Sequence, residues 1–153
     1  MKQPEGSVLQ PGERRFLVSH RVAHLATADE RGRPHVVPVC FVVVGDRIFI
    51  PLDEKPKSVA PGALRRVRNL LAQPEVALVV DDYSDDWERL AYLLIRGTGG
   101  LINPADPEHA EVVRQLREKY PQYRAMRLDE RPLIRIIIQS ARAWSMSGQT
   151  FAE

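Results

Sequence analysis

The chain contains a single cysteine, Cys40, in 153 residues. That excludes an internal disulfide framework and any cysteine-rich zinc or iron–sulfur cage. It also lacks a long hydrophobic run, since no stretch approaches the roughly 20 apolar residues that cross a bilayer. The N-terminal MKQPEGSVLQPGERR has no apolar segment behind its lysine and does not read as a secretory signal. A cytoplasmic protein whose lone thiol stays reduced is therefore expected. An excess of one charge is missing too. The 22 Lys and Arg against 20 Asp and Glu leave +2, too little to imply nucleic-acid binding from global electrostatics. Three catalytic signatures are absent: the GxSxG elbow, HExxH and the phosphate-binding GxxxxGKS.

What remains is an ordinary globular composition, 44% hydrophobic, 27% charged and 7% aromatic. It excludes a disordered, collagen-like or low-complexity chain and implies one domain over residues 1–153, with 1–10 as a loose lead. A short helix opens at Pro11 through GERRFLVSHR. Strand character follows at 22–27, a turn at 29–34, and a β-branched strand at 35–44. Gly45-Asp46 turns that strand into a third, 47–52. A helix is expected over 61–72, with Leu64, Val67 and Leu71 as its buried face. Strands at 76–80 and 90–102 come next, the latter bent at Gly97 and Gly99-Gly100. A helix over 107–119 presents Ala110, Val113, Leu116 and Tyr120. A last strand runs from Leu133 through Ile138 toward Trp144. Six mostly antiparallel strands with marginal helices predict a mainly β fold, a closed or partly closed barrel.

Few residues suggest chemistry. His20 and His24 are four apart, but the period changes to strand between them, so metal binding is disfavoured. Cys40 reads as a small buried hydrophobe within an apolar strand. The acidic run Asp81–Glu88 lacks the ligand spacing of a calcium loop and reads as a solvated connection. Trp87, at a loop–strand junction, is expected to pack on a partner subunit, a ligand or the barrel rim.

The informative cluster is DEKPKSVAPGALRRVRNL, with Lys55, Lys57, Arg65, Arg66 and Arg68. With Leu64, Val67 and Leu71 inward, Arg65, Arg66 and Asn69 fall together on the far side and Arg68 on the opposite flank. Cations at a helix start suit an anion, because unpaired N–H groups and the helix dipole add to the fixed charge. A solvated face neutralised by Asp53, Glu54 and Glu75 is the competing reading.

Three motifs occur in order: Gly32-Arg33-Pro34-His35-Val36-Val37-Pro38-Val39, then Arg68-Asn69-Leu70 before a proline and a strand, then Arg96-Gly97-Thr98-Gly99-Gly100-Leu101. Together they resemble the flavin- and deazaflavin-binding split-barrel family related to pyridoxamine 5′-phosphate oxidase, in particular its F-420-dependent oxidoreductase branch. The resemblance spans about Val22 to Trp144. It implies a six-stranded split barrel forming a homodimer with cofactor sites at the interface. It also implies that Val37, Pro38 and Val39 lie against the cofactor ring and that Ile50, Pro51 and Leu52 flank its ribityl chain. Arg66 would contact the phosphate, with Arg65 and Asn69 in the same motif and Lys55 and Lys57 as a loop variant. Trp87 and Trp144 would approach from the other protomer.

The expected function is an oxidoreductase acting on a small organic substrate, the bound cofactor carrying the redox chemistry. Five cations in the stretch favour the deazaflavin coenzyme F-420, with its long anionic tail, over FMN. The alternative is a non-enzymatic flavin or haem carrier or sensor of the same fold. A nucleic-acid-binding barrel is disfavoured, because the cations lie on a loop and helix rather than among exposed strand aromatics.

Overall fold

A computed structural model of the chain describes residues 6–52 and 64–152. Helix α1 (Pro11–Ser19) precedes strands β1 (Ala23–Ala28), β2 (Pro34–Val39), β3 (Val42–Val44) and β4 (Arg47–Pro51). Helix α2 (Arg65–Ala72), β5 (Glu75–Asp82), β6 (Ala91–Ile102), α3 (His109–Lys119) and β7 (Leu133–Ser145) follow. The seven strands among the described residues form one antiparallel sheet, ordered β2-β1-β5-β6-β7-β4-β3.

The two strands that end this order, β2 and β3, are consecutive in the chain and separated only by Cys40 and Phe41. The segment expected to be one strand over 35–44 is therefore broken. Its first half pairs with β1 and its second with β4. That break turns the expected six strands into seven and curls the sheet into a split barrel. Long β6 and β7 connect the halves: residues 91–98 of β6 pair with both β5 and β7, whereas β4 reaches only Leu133–Ile137 of β7. The expected bend is a register shift between Arg96 and Gly97. A Cβ on Gly97 would stand 2.5 Å from the Ile137 carbonyl oxygen, so only glycine fits.

The main core lies inside the barrel, with Leu25, Ile48, Ile50, Leu78, Leu93, Ile95 and Ile136 almost fully buried. A second core lies under α3, where Val112, Val113 and Leu116 meet Phe49, Ile102 and Leu133. Because β4 is buried on both faces, it reads as a continuous apolar run rather than an alternating one. Two short 3-10 turns after α3, at Pro121–Ala125 and Leu128–Glu130, add Tyr123 and Leu128 to this second core.

Other expectations shift. The lead is not loose over its described part. Leu9 is fully buried, and the Val8 amide donates to the Asp46 carboxylate at 2.8 Å. The expected helix 61–72 begins at Arg65, Leu64 being extended. It buries Val67 and Leu70, whereas Leu71 is 62% exposed. The inward face is thus turned by one residue step, about 100°. In α3, His109 and Val112 take the inward place expected of Ala110, because His109 caps its ring on the Arg131 carbonyl at 2.7 Å.

Candidate functional site

A cavity of about 180 Å³ opens where the end of β2, the start of β1, the end of β4 and α2 converge. Its apolar wall is Val22, Pro38, Val39, Ile50 and Pro51. Cys40, Arg66 and Tyr123 supply its polar groups. It lies at the junction of the two cores: Val39 and Ile50 belong to the barrel interior and Tyr123 to the cluster under α3.

Among the described residues, Arg66 is the only cation on this lining. Its Nε is buried and has no hydrogen-bond partner among the described residues. A guanidinium N–H withdrawn from water and left unpaired is costly, and an anion seated against it would remove that cost. The rotation of α2 aims it there. Asn69, on the buried side of the same helix, donates from Nδ2 to the Thr27 hydroxyl oxygen at 3.0 Å, and both residues are over 95% buried. With Asn69, Val67 and Leu70 inward, Arg66 flanks the barrel mouth. Arg65 and Arg68 are turned outward onto a polar cavity of about 430 Å³ that they share with Asp29, Glu30, Arg33 and Asn69.

The sequence therefore placed these side chains correctly on one helix but grouped them differently. Arg65 shares a cavity with Arg68 and Asn69 rather than with Arg66, and Asn69 also locks the helix through Thr27. The cause is the adjacent pair Leu70-Leu71, either of which satisfies the apolar spacing.

Of the residues expected at the site, Pro38, Val39, Ile50, Pro51 and Arg66 line one cavity. Val37 packs on the barrel core and Leu52 is buried within it, each adjoining a lining residue in sequence. Lys55 and Lys57 lie outside the described residues. Trp87 and Trp144 do not line this cavity. They are 62% and 41% exposed, and Trp144 stacks on Tyr92 at 5.7 Å, separated from Val39 by β1, β5 and β6.

Three lining residues escaped the sequence reading. Cys40 is half-buried at the strand break rather than inside a strand. Val22 directly precedes β1. Tyr123 lies in an irregular turn that carries no periodic signal.

The break itself is held by Tyr120, at the end of α3. Its hydroxyl accepts from the Phe41 amide at 3.0 Å and lies 2.8 Å from the Arg21 carbonyl and 3.0 Å from that of Phe41. Burial, opposed by the Phe41 amide bond, pushes this hydroxyl up to about 12, so it stays protonated and the staple persists at neutral pH.

The family model described as pyridoxamine 5′-phosphate oxidase matches residues 9–145. No curated protein matches the chain. Among solved structures, a conserved hypothetical protein from Mycobacterium tuberculosis is similar, at 22% identity and TM-score 0.70, over 100% of this chain and 94% of that one. The haem-storage protein HutZ of Vibrio cholerae matches at 19% identity and TM-score 0.69, over 90% and 94% of the two chains. A structure described as an F-420 reductase matches at 22% identity and TM-score 0.61, over 91% and 98%.

Proposed function

Since the chain belongs to the pyridoxamine 5′-phosphate oxidase family of flavin- and deazaflavin-binding split barrels, we propose that it is an oxidoreductase using a cofactor of this class. The observation that carries this reading is the buried, unpaired Arg66 Nε beside an apolar wall. A phosphate on Arg66 and a flat conjugated ring against Pro38, Val39, Ile50 and Pro51 suit these residues. When bound, such a cofactor supplies hydride transfer at its ring. The chain contributes binding, orientation and exclusion of water.

The deazaflavin coenzyme is favoured over FMN. Arg65 and Arg68 face a separate polar cavity on the same helix, with room and charge for an anionic extension beyond the phosphate. The likeness to an F-420 reductase agrees with this preference.

The acting unit in this proposal is a homodimer, with a small organic molecule as substrate. At about 180 Å³ the cavity falls short of the roughly 300–1,000 Å³ usual for a small-molecule site, so a second copy would complete it. The outer sheet face has the surface for that pairing, with Val36 59%, Tyr92 38% and Trp144 41% exposed.

The test is a parallel fluorescence titration of the purified protein with FMN and with the deazaflavin coenzyme, followed by turnover assays with the reduced form. Tight deazaflavin binding with turnover supports the reading. Tight binding of either cofactor without turnover on any substrate points to a carrier or sensor. Binding of neither refutes the cofactor site.

A further inference from the structure

We propose that Lys119 is a covalent acylation site, its side chain lining a cavity of about 350 Å³ that admits a small acyl phosphate. This cavity is distinct from the one beside Arg66. Val18 of α1, Val42 and Val43 of β3, and Arg114, Gln115 and Glu118 of α3 form its remaining wall.

Lys119 closes α3 with its stem half-buried. Its Nζ donates to the Phe41 carbonyl at 3.1 Å and sits 4.0 Å from the centroid of the Phe41 ring and 5.4 Å from that of Tyr120. No carboxylate pairs with it among the described residues. Glu118, on the same cavity wall, instead accepts from Arg114 at 3.1 Å, and Arg114 is also held by Glu111. From the other elements, the Arg21 guanidinium and the Cys40 thiol act on the amine.

Burial and then the Arg21 charge bring Lys119 down to about 8, with Cys40 opposing them. A substantial fraction is thus free amine in mildly alkaline solution, on a side chain that lines a cavity and has no counter-ion among the described residues. Arg21 makes no carboxylate pair among the described residues, so the surroundings also suit an anionic acyl donor.

The step balances without an oxidant or reductant. The free amine attacks the acyl carbon, and a C–N bond forms. The C–O bond to phosphate breaks, phosphate departs with the electron pair, and the new amide nitrogen gives its surplus proton to water. The product cannot carry the charge that now holds the Phe41 carbonyl, so acylation acts on the break between β2 and β3.

The experiment incubates the full chain with acetyl phosphate between pH 7 and 10. Peptide mass spectrometry follows the four lysines, Lys2, Lys55, Lys57 and Lys119, against a free blocked-lysine standard. At pH 8 an ordinary lysine is charged in all but about one molecule in 250. Lys119 should therefore react roughly tenfold faster than the standard, after allowing for its weaker basicity. Its rate should level off just above pH 8. Val18→Phe, at an exposed position that fills the cavity mouth, should slow Lys119 alone. A Lys119 rate equal to the standard, a rate still climbing at pH 10, or indifference to Val18→Phe would overturn the proposal. None of these readings requires a cofactor, so they stand or fall separately from the oxidoreductase reading.

Discussion

Asn69 and Thr27 form a buried hydrogen bond between α2 and β1, 3.0 Å from amide nitrogen to hydroxyl oxygen. It fixes the roll of a helix only eight residues long, and hence the direction of Arg66. Asn69→Ala is expected to cost about 1–3 kcal/mol, because the Thr27 hydroxyl is left without its donor in a dry site. Urea unfolding measures this, and an unchanged midpoint would show that packing alone sets the helix.

Arg66→Ala should weaken FMN and the deazaflavin coenzyme alike, by about 1.5–3 kcal/mol, through loss of a charge-assisted contact. Replacing both Arg65 and Arg68 by alanine should weaken only the deazaflavin. Fluorescence titration at fixed ionic strength separates the cases. Equal losses for both cofactors in the double variant would remove the basis for preferring the longer anion.

Asp46 joins the hairpin turn to the N-terminal segment. Its partial burial raises the carboxyl, but the Val8 amide, the Ser7 hydroxyl, the Leu9 amide and the Arg14 charge together hold it below the ordinary aspartate value of 3.8. A value lower in the folded than in the unfolded chain gives stability that is complete above the unfolded value and fades as pH falls through the folded one. Asp46→Asn should therefore be less stable than the parent at pH 7, with the gap narrowing below about pH 4. Thermal melts across this range test it, and a gap that widened in acid would contradict the assignment.

Gly97→Ala forces a methyl group against the Ile137 carbonyl and the Ile136 side chain. A loss of about 1–3 kcal/mol is expected from this overpacking. Normal stability in the variant, measured by chemical denaturation, would mean that the β6–β7 bulge yields easily.

Val36→Arg places a charge on the exposed outer face, in edge strand β2. If copies pair through that face, the variant should be a monomer by light scattering where the parent is a dimer, with weaker cofactor binding. A parent that is itself monomeric at micromolar concentration would refute the pairing.

Much of the fold was legible. The valine- and isoleucine-rich runs, the turn at Gly45-Asp46 and the glycines at 97–100 marked strands, hairpin and bend where the structure has them. The break at Cys40-Phe41 was not, because residues on both sides favour strand and only the pairing partners change. The phase of α2 was ambiguous for a similarly local reason: Leu70 and Leu71 are equivalent until Thr27 selects the roll. At the site, the apolar wall and Arg66 were found through their motifs. Tyr123 and the surroundings of Lys119 arise from contacts between distant segments and leave no periodic trace.

The outermost position of β2 in the sheet has a consequence for assembly. An edge strand invites addition of another chain through its unpaired amides. Here Pro34 and Pro38, four apart and therefore directed the same way, have no amide hydrogen to offer. The opposite edge, β3, is only three residues long. Both margins are thus poor templates for ribbon-like growth, a safeguard against aggregation in a chain rich in β-branched strands. Any pairing of copies is thereby left to side chains on the sheet's faces, where a stoichiometric complex would close on itself instead of extending.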